Sequence, residues 1–315
     1  MHGKSIMKYD PDRSNKFQHL ADLPEDCYCS SIVAVGTFIY MLGGLDSLSD
    51  IHVYNSMKNE WILIEDVLKD LRQSAAAVAI GKKVIVSGGY LTTHGDYVRP
   101  LSSVEVFSVE GEACKPVEDH GIPDLQHARW YHAVVAIEDT MYSMGGVGDR
   151  DETVTCCECV NVTSCTPFTI PPMNESRSCF SAATYRDTIF VSGGVEEYGE
   201  HTLSVETYSP STNSWTQLNP MKLIRYCHGS MIYNQGLFLI GGWGTHNIER
   251  VDLETGKREV YNESMDLTTN SDTHVVLVDY KVTPDDSFPE TAESKSYLKF
   301  IKLPKYINFN ALYPN

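Results

Sequence analysis

Short apolar and β-branched runs alternate with polar turns along almost the whole chain, and they come in pairs. Residues 38–42, 84–87, 141–144, 188–192 and 237–240 each read as a buried strand, because such runs are too short for a helix and are bounded by turn signals. Upstream of each lies a second run, at 31–35, 75–80, 133–137, 181–185 and 230–233, which predicts two antiparallel strands joined by a tight turn. A polar loop then leads to a third strand anchored by Tyr54, Phe107, Val160, Tyr208 or Val251, with a fourth strand close behind. The clearest copies are 54–61 and 208–215, where Ser, Asn and Pro supply turn chemistry between a Tyr and Trp61 or Trp215. Each unit is expected to be a four-stranded antiparallel sheet.

The units repeat. Glycine doublets close the second strand at Gly43-Gly44, Gly88-Gly89, Gly145-Gly146, Gly193-Gly194 and Gly241-Gly242, with spacings of 45, 57, 48 and 48 residues. Glycine suits a place where the backbone turns tightly and a neighbouring chain comes close. Arg72, Arg129, Arg177 and Arg225 each stand 16 residues before a doublet, and Glu105, Glu158, Glu206 and Glu249 each stand two before a third-strand anchor. The first unit has Cys27 where the arginine would fall. Charges that recur inside packed strands need partners, so these residues read as structural ion pairs rather than as ligand contacts.

The doublets, the Tyr-x(6)-Trp spacing and the period of about 50 residues resemble the Kelch repeat over residues 6–282. That resemblance implies an all-β fold, a Kelch-type β-propeller of six blades with four antiparallel strands each. Residues 1–282 would form the propeller body. Residues 5–20 look like the third and fourth strands of a split closing blade, and 274–278 like its first strand. The doublet expected in this blade is missing, and 283–296 is polar and acidic, which predicts a loop or disordered insertion. Within 297–315, residues 297–303 would supply the remaining strand, so that one blade is closed by both ends of the propeller.

Composition changes the picture mainly through charge. With 42% hydrophobic and 21% charged residues the chain reads as an ordinary globular body. Its net charge of −17 repels phosphate backbones and anionic lipids, so neither nucleic acid nor a membrane is expected as a partner. No apolar stretch approaches the roughly 18 residues of a spanning helix, and the opening residues lack the apolar run of a secretory leader. The expected location is the cytoplasm, with the nine cysteines reduced.

Signatures of common catalytic chemistry do not occur: the sequence has no phosphate-binding glycine loop, no Gly-x-Ser-x-Gly and no His-Glu-x-x-His. Cys156, Cys157, Cys159 and Cys165 are close in sequence, but strand alternation sends Cys157 and Cys159 to one face and Cys156 to the other. They read as strand cysteines, His132 and His228 read as structural histidines, and no metal or cofactor is expected.

In propellers of this kind the resemblance places ligands on the loops that leave the second strand and enter the first. Beside the arginine positions stand Gln73, Trp130, Tyr131, Ser178 and Tyr226, with Tyr28 as the first-unit counterpart. After the doublets stand Tyr90 and Trp243, and the longer loops add Asp149, Arg150, Tyr198 and His246. Tyr, Trp and Arg dominate binding hot spots, so this set predicts a partner-binding face for a protein or peptide. The resemblance is closest to the non-enzymatic propellers of BTB-Kelch adaptors, which select substrates for cullin-3 ubiquitin ligases. Here a cullin-3 contact is expected only where a BTB domain lies upstream or on a partner chain. The alternatives are a Kelch-type enzyme with a metal or sugar site at the propeller axis, or an actin-associated protein, which the negative charge opposes.

Overall fold

In a computed structural model of the chain, the structure describes residues 5–10, 14–22, 29–92, 98–261, 271–280 and 295–304, apart from 45–47, 244 and 246. Five sequential four-stranded antiparallel sheets follow one another. Blade 1 consists of Ser31–Val35, Phe38–Leu42, Ile51–Asn55 and Glu60–Ile64, and blade 2 of Ala76–Ile80, Lys83–Ser87, Val104–Glu110 and Ala113–Pro116. Blade 3 has Ala133–Ile137, Thr140–Met144, Cys157–Asn161 and Thr166–Ile170, and blade 4 has Ser181–Tyr185, Thr188–Ser192, Val205–Ser209 and Ser214–Gln217. Blade 5 has Gly229–Tyr233, Gly236–Ile240, Ile248–Asp252 and Arg258–Tyr261. A sixth sheet joins distant segments, in the order Ser14–Asp22, Ser5–Asp10, Lys295–Pro304, Ser271–Tyr280.

The first strands sit side by side around the axis. Ser271–Tyr280 touches both Gly229–Tyr233 and Ser31–Val35, so the ring of first strands is continuous. The expected strands 297–303 and 274–278 fall inside Lys295–Pro304 and Ser271–Tyr280. The expected insertion at 283–296 falls largely, and the tail beyond 304 wholly, outside the described residues.

Hydrophobic cores lie between blades rather than within them. Tyr40, Leu42 and Val53 of blade 1 pack on Val84, Val86 and Phe107 of blade 2, while Met144 and Cys157 of blade 3 pack on Ile189, Val191 and Tyr208 of blade 4. A sheet buried on both faces explains why the second strands read as unbroken apolar runs instead of alternating ones. Trp61 and Trp215 lean on the third-strand tyrosines, at 5.1 Å from Tyr54 and 5.3 Å from Tyr208. Both are only half-buried. The fourth strand is the outermost of its sheet, so its aromatics cover the core edge without entering it. The 57-residue spacing also has a cause: a short hairpin, Tyr90–Thr92 with Val98–Pro100, is inserted after the second doublet.

Candidate interaction face

Each recurring arginine bridges two blades. Its backbone carbonyl accepts from the second doublet glycine of the preceding blade, as in Gly44 N to Arg72 O at 3.1 Å, Gly146 N to Arg177 O at 2.9 Å and Gly194 N to Arg225 O at 2.9 Å. Its guanidinium turns into its own blade, where Nη1 donates to the first doublet glycine: Arg72 to Gly88 O at 2.9 Å, Arg129 to Gly145 O and Arg177 to Gly193 O at 3.0 Å. Nη2 meets the buried carboxylate of Glu105, Glu158 or Glu206, each at 2.5 Å. These carboxylates also accept backbone N–H groups of the interblade linkers, such as Lys69 N, His127 N and Asn174 N. The doublets tolerate only glycine here: Gly145 has φ +59°, and a Cβ there would lie 2.6 Å from Arg177 O.

Blade 5 departs from this pattern. Glu249 pairs with Arg258 of the fourth strand at 2.9 Å, and Arg225 keeps only the carbonyls of Gly241 and Asn247. Its Nη2 is buried without a hydrogen-bond partner among the described residues, and burial pushes the guanidinium pKa down to about 10 although Glu249 pulls the other way.

The residue after each arginine pairs with the residue after the next doublet. Gln73 and Tyr90 exchange two backbone hydrogen bonds, as do Trp130 with Val147 and Ser178 with Val195, and Trp243 N donates to Tyr226 O at 3.0 Å. This ladder corrects part of the expected face. Gln73, Trp130 and Ser178 are buried, with Trp130 only 4% exposed between Tyr90 and Tyr131 at centroid distances of 4.7 Å. They support the surface without forming it. Tyr90, Tyr131, Tyr226 and Trp243 are half-buried, whereas Asp149, Arg150 and Tyr198 are exposed, Tyr198 at 84%. Tyr28 and His246 lie outside the described residues.

The sequence places His201 at the end of the long loop 196–201, and the structure sets its ring among these aromatics. His201 stacks on Tyr226 at 4.6 Å and 7°, and Tyr226 lies 6.0 Å and 18° from Trp243, which gives a three-ring column across blades 4 and 5. Two loops leave the second strands of blades 3 and 4: 148–152 closes with Gly148 N to Glu152 O at 2.9 Å, and 196–200 closes with Glu196 N to Glu200 O at 2.7 Å. They carry Asp149, Asp151, Glu152, Glu196, Glu197 and Glu200 against Arg150. The Asp151 carboxyl is held above its ordinary range by partial burial and by Glu152.

Near the axis, Cys29, Ser74, Tyr131, Cys179 and Cys227 occupy equivalent places with φ between 49° and 58°. Their backbones are linked blade to blade, Ser74 N to Cys29 O at 2.8 Å and Cys179 N to Tyr131 O at 3.0 Å among them. Together with the first strands they line a cavity of about 300 Å³.

His132 and His228 sit at the blade boundaries, their Nε2 atoms 3.2 Å from Ser87 Oγ and 2.9 Å from Ser192 Oγ. Burial, with nearby arginines, holds both imidazoles neutral; His228 falls to about 3. Cys157 and Cys159 point into the core between blades 3 and 4, where burial pushes the Cys157 thiol up to about 12. Cys156 instead accepts from Arg129 Nη2 at 2.9 Å. Among the described residues one cluster, His127, Cys156 and Glu158, has metal-like spacing, yet the Arg129 guanidinium contacts both Cys156 and Glu158 and leaves a poor place for a cation.

Comparison with known proteins points the same way as the repeats. A family model described as Kelch motif matches residues 176–222, from the linker before blade 4 to the linker after it. Kelch-like protein 23 of Mus musculus is 30% identical over 110 residues, covering 34% of this chain and 18% of that protein. Kelch-like protein 38 of Rattus norvegicus is 24% identical over 147 residues, 45% of this chain and 22% of that protein. The matched segments thus span about a fifth of the length of these curated relatives. A solved structure of YjhT superposes with a TM-score of 0.71 over 92% of this chain and 98% of that one, at 12% identity, a likeness of fold alone.

Proposed function

The chain belongs to the Kelch-repeat β-propellers, and from that premise we propose that it works in the cytoplasm as a non-enzymatic protein-interaction module whose loop face holds a partner protein. The observation that carries this reading is the aromatic column His201–Tyr226–Trp243 beside the exposed Tyr198, mounted on loops whose bases are locked by the arginine bridges. A rigid frame presents such rings with little ordering cost on binding. Similarity to Kelch-like proteins supports a finer role, substrate selection for a cullin-3 ubiquitin ligase, with the cullin contact supplied by a BTB domain upstream or on a partner chain.

Capture from cell lysate with the wild-type chain and with a Tyr198→Ala/Tyr226→Ala variant tests the face. Partners retained by the wild type and lost from an equally folded variant support it; identical partner sets contradict it. Cullin-3 bound by the propeller alone would contradict the division of labour.

The axial cavity favours a second reading, a small-molecule or enzymatic site. Ser31 Oγ and Ser74 Oγ belong to residues lining it and are buried without a hydrogen-bond partner among the described residues. Saturable binding of a small neutral ligand, abolished by Ser31→Val, would favour that reading.

A further inference from the structure

We propose that the loop face of blades 3 to 5 takes a basic segment of its partner, a stretch of protein presenting Lys or Arg side chains to the aromatic column. This rests on the interaction reading above and names the kind of partner. The column offers flat π faces, which attract an ammonium or guanidinium group placed over them. It is continuous with charge of the matching sign, since His201 follows Glu200 directly and Tyr198 stands between Glu197 and Glu200. The neighbouring loop adds Asp149 and Asp151 from the adjacent blade.

The two ends of the propeller differ in how they handle charge. On the opposite end, where first strands turn into second and third into fourth, lysines neutralise glutamates in blades 1, 2 and 5: Lys82 with Glu110 at 2.7 Å, Lys58 with Glu112 at 2.9 Å, Lys257 with Glu259 at 2.8 Å. The loop end has such a pair in Lys69 with Glu118, on the linkers either side of blade 2 and so outside blades 3 to 5. On the loop end the recurring arginines are consumed inside the blades by Glu105, Glu158 and Glu206. The exposed carboxylates of 148–152 and 196–200 therefore set the local field, one that draws cations and repels an acidic segment. An aromatic surface flanked by six carboxylates against the one cation Arg150 selects by both attraction and repulsion.

The test uses the full chain and three arrayed peptide sets built on one backbone with a shared aromatic residue, bearing Lys/Arg, Gln or Asp/Glu at the same positions. Binding is read by fluorescence anisotropy at two salt concentrations. Expected is retention of the Lys/Arg set at least tenfold above the Gln set and none of the Asp/Glu set, weakening with salt. The variant Asp149→Asn/Asp151→Asn/Glu197→Gln/Glu200→Gln should lose that preference; Glu152 is left in place because it accepts from Arg150 N. Tyr198→Ala/Tyr226→Ala should weaken the Lys/Arg set most, because it loses the π faces as well as the shared aromatic contact, and the Gln set less. Equal or stronger binding of the Gln or Asp/Glu sets, abolished by the tyrosine variant, would overturn the basic partner while leaving the face intact. Binding untouched by the tyrosine variant would sink the face itself, and no retention of the Lys/Arg set would overturn the proposal.

Discussion

Arg177 and Glu206 form an ion pair at 2.5 Å from which solvent is wholly excluded. Ser204 Oγ and Gly193 O take further guanidinium protons, while Asn174 N and Glu175 N donate to the carboxylate oxygens; among the described residues only Arg177 Nε has no acceptor. Removing one partner strands the other. Arg177→Ala should cost about 3–5 kcal/mol, seen as a lower denaturation midpoint, and a loss below about 1 kcal/mol would show that the pair is not structural.

Blade 5 should behave differently, because two arginines compete for Glu249. Once Arg258 is replaced by Gln, the Arg225 guanidinium, whose Nη2 has no partner, can turn to the carboxylate. Arg258→Gln should therefore cost less than about 1.5 kcal/mol, well under Arg177→Ala. Equal costs in the two variants would mean that Arg225 cannot reach Glu249.

Acid should destabilise the ring through His132 and His228. Both are held neutral in the folded state, His228 at about 3, so the unfolded chain binds more protons below about 6.5. Their contribution is complete above that pH and is lost as pH falls towards 3, with a slope of about 1.4 kcal/mol per pH unit for each histidine. A His132→Gln/His228→Gln double variant should show a shallower decline between pH 6.5 and 5 by urea titration. Superimposable pH profiles would contradict the assignment.

Two glycines with the same sign of φ separate steric from conformational cost. Gly36 has φ +59° with open space where a methyl group would stand, so Gly36→Ala should cost about 1–2 kcal/mol. Gly146 has φ +95°, and its Cβ would meet Trp130 O at 2.7 Å and His132 Cβ at 2.8 Å. Gly146→Ala should cost clearly more, by thermal melt, since it forces the end of the second strand of blade 3 away from the backbone that enters its first strand. Equal melting shifts would refute the close-approach account.

Much of the fold was legible because the repeat fixes it: doublets, arginines and glutamates recur in register, and periodicity of that kind survives without homologues. The membership of the face was less legible. Trp130 looks like a hot-spot residue by type, yet its position after Arg129 ties it into a backbone pair that buries it. The signal was present, since 73 and 90, 130 and 147, 178 and 195, and 226 and 243 are all separated by 17 residues while the loops beyond them vary. A constant separation beside variable loops marks a fixed pair. The swap of Arg258 for Arg225 had no such marker, because the register of the outer strand, which pairs Val251 with Arg258, sets it. The half-burial of Trp61 and Trp215 likewise follows from strand order, so truncating either to Ala should cost about 1–3 kcal/mol.

The central claim is that partners dock on the loop face of a rigid ring, and hydrogen exchange on the chain bound to a captured partner tests it most directly. Protection confined to 148–152, 196–201, 225–227 and 241–243, with the turns at 80–83, 110–113, 209–214 and 233–236 unchanged, is the predicted result. Protection on those turns, with the loop face exchanging as in the unbound chain, would contradict it.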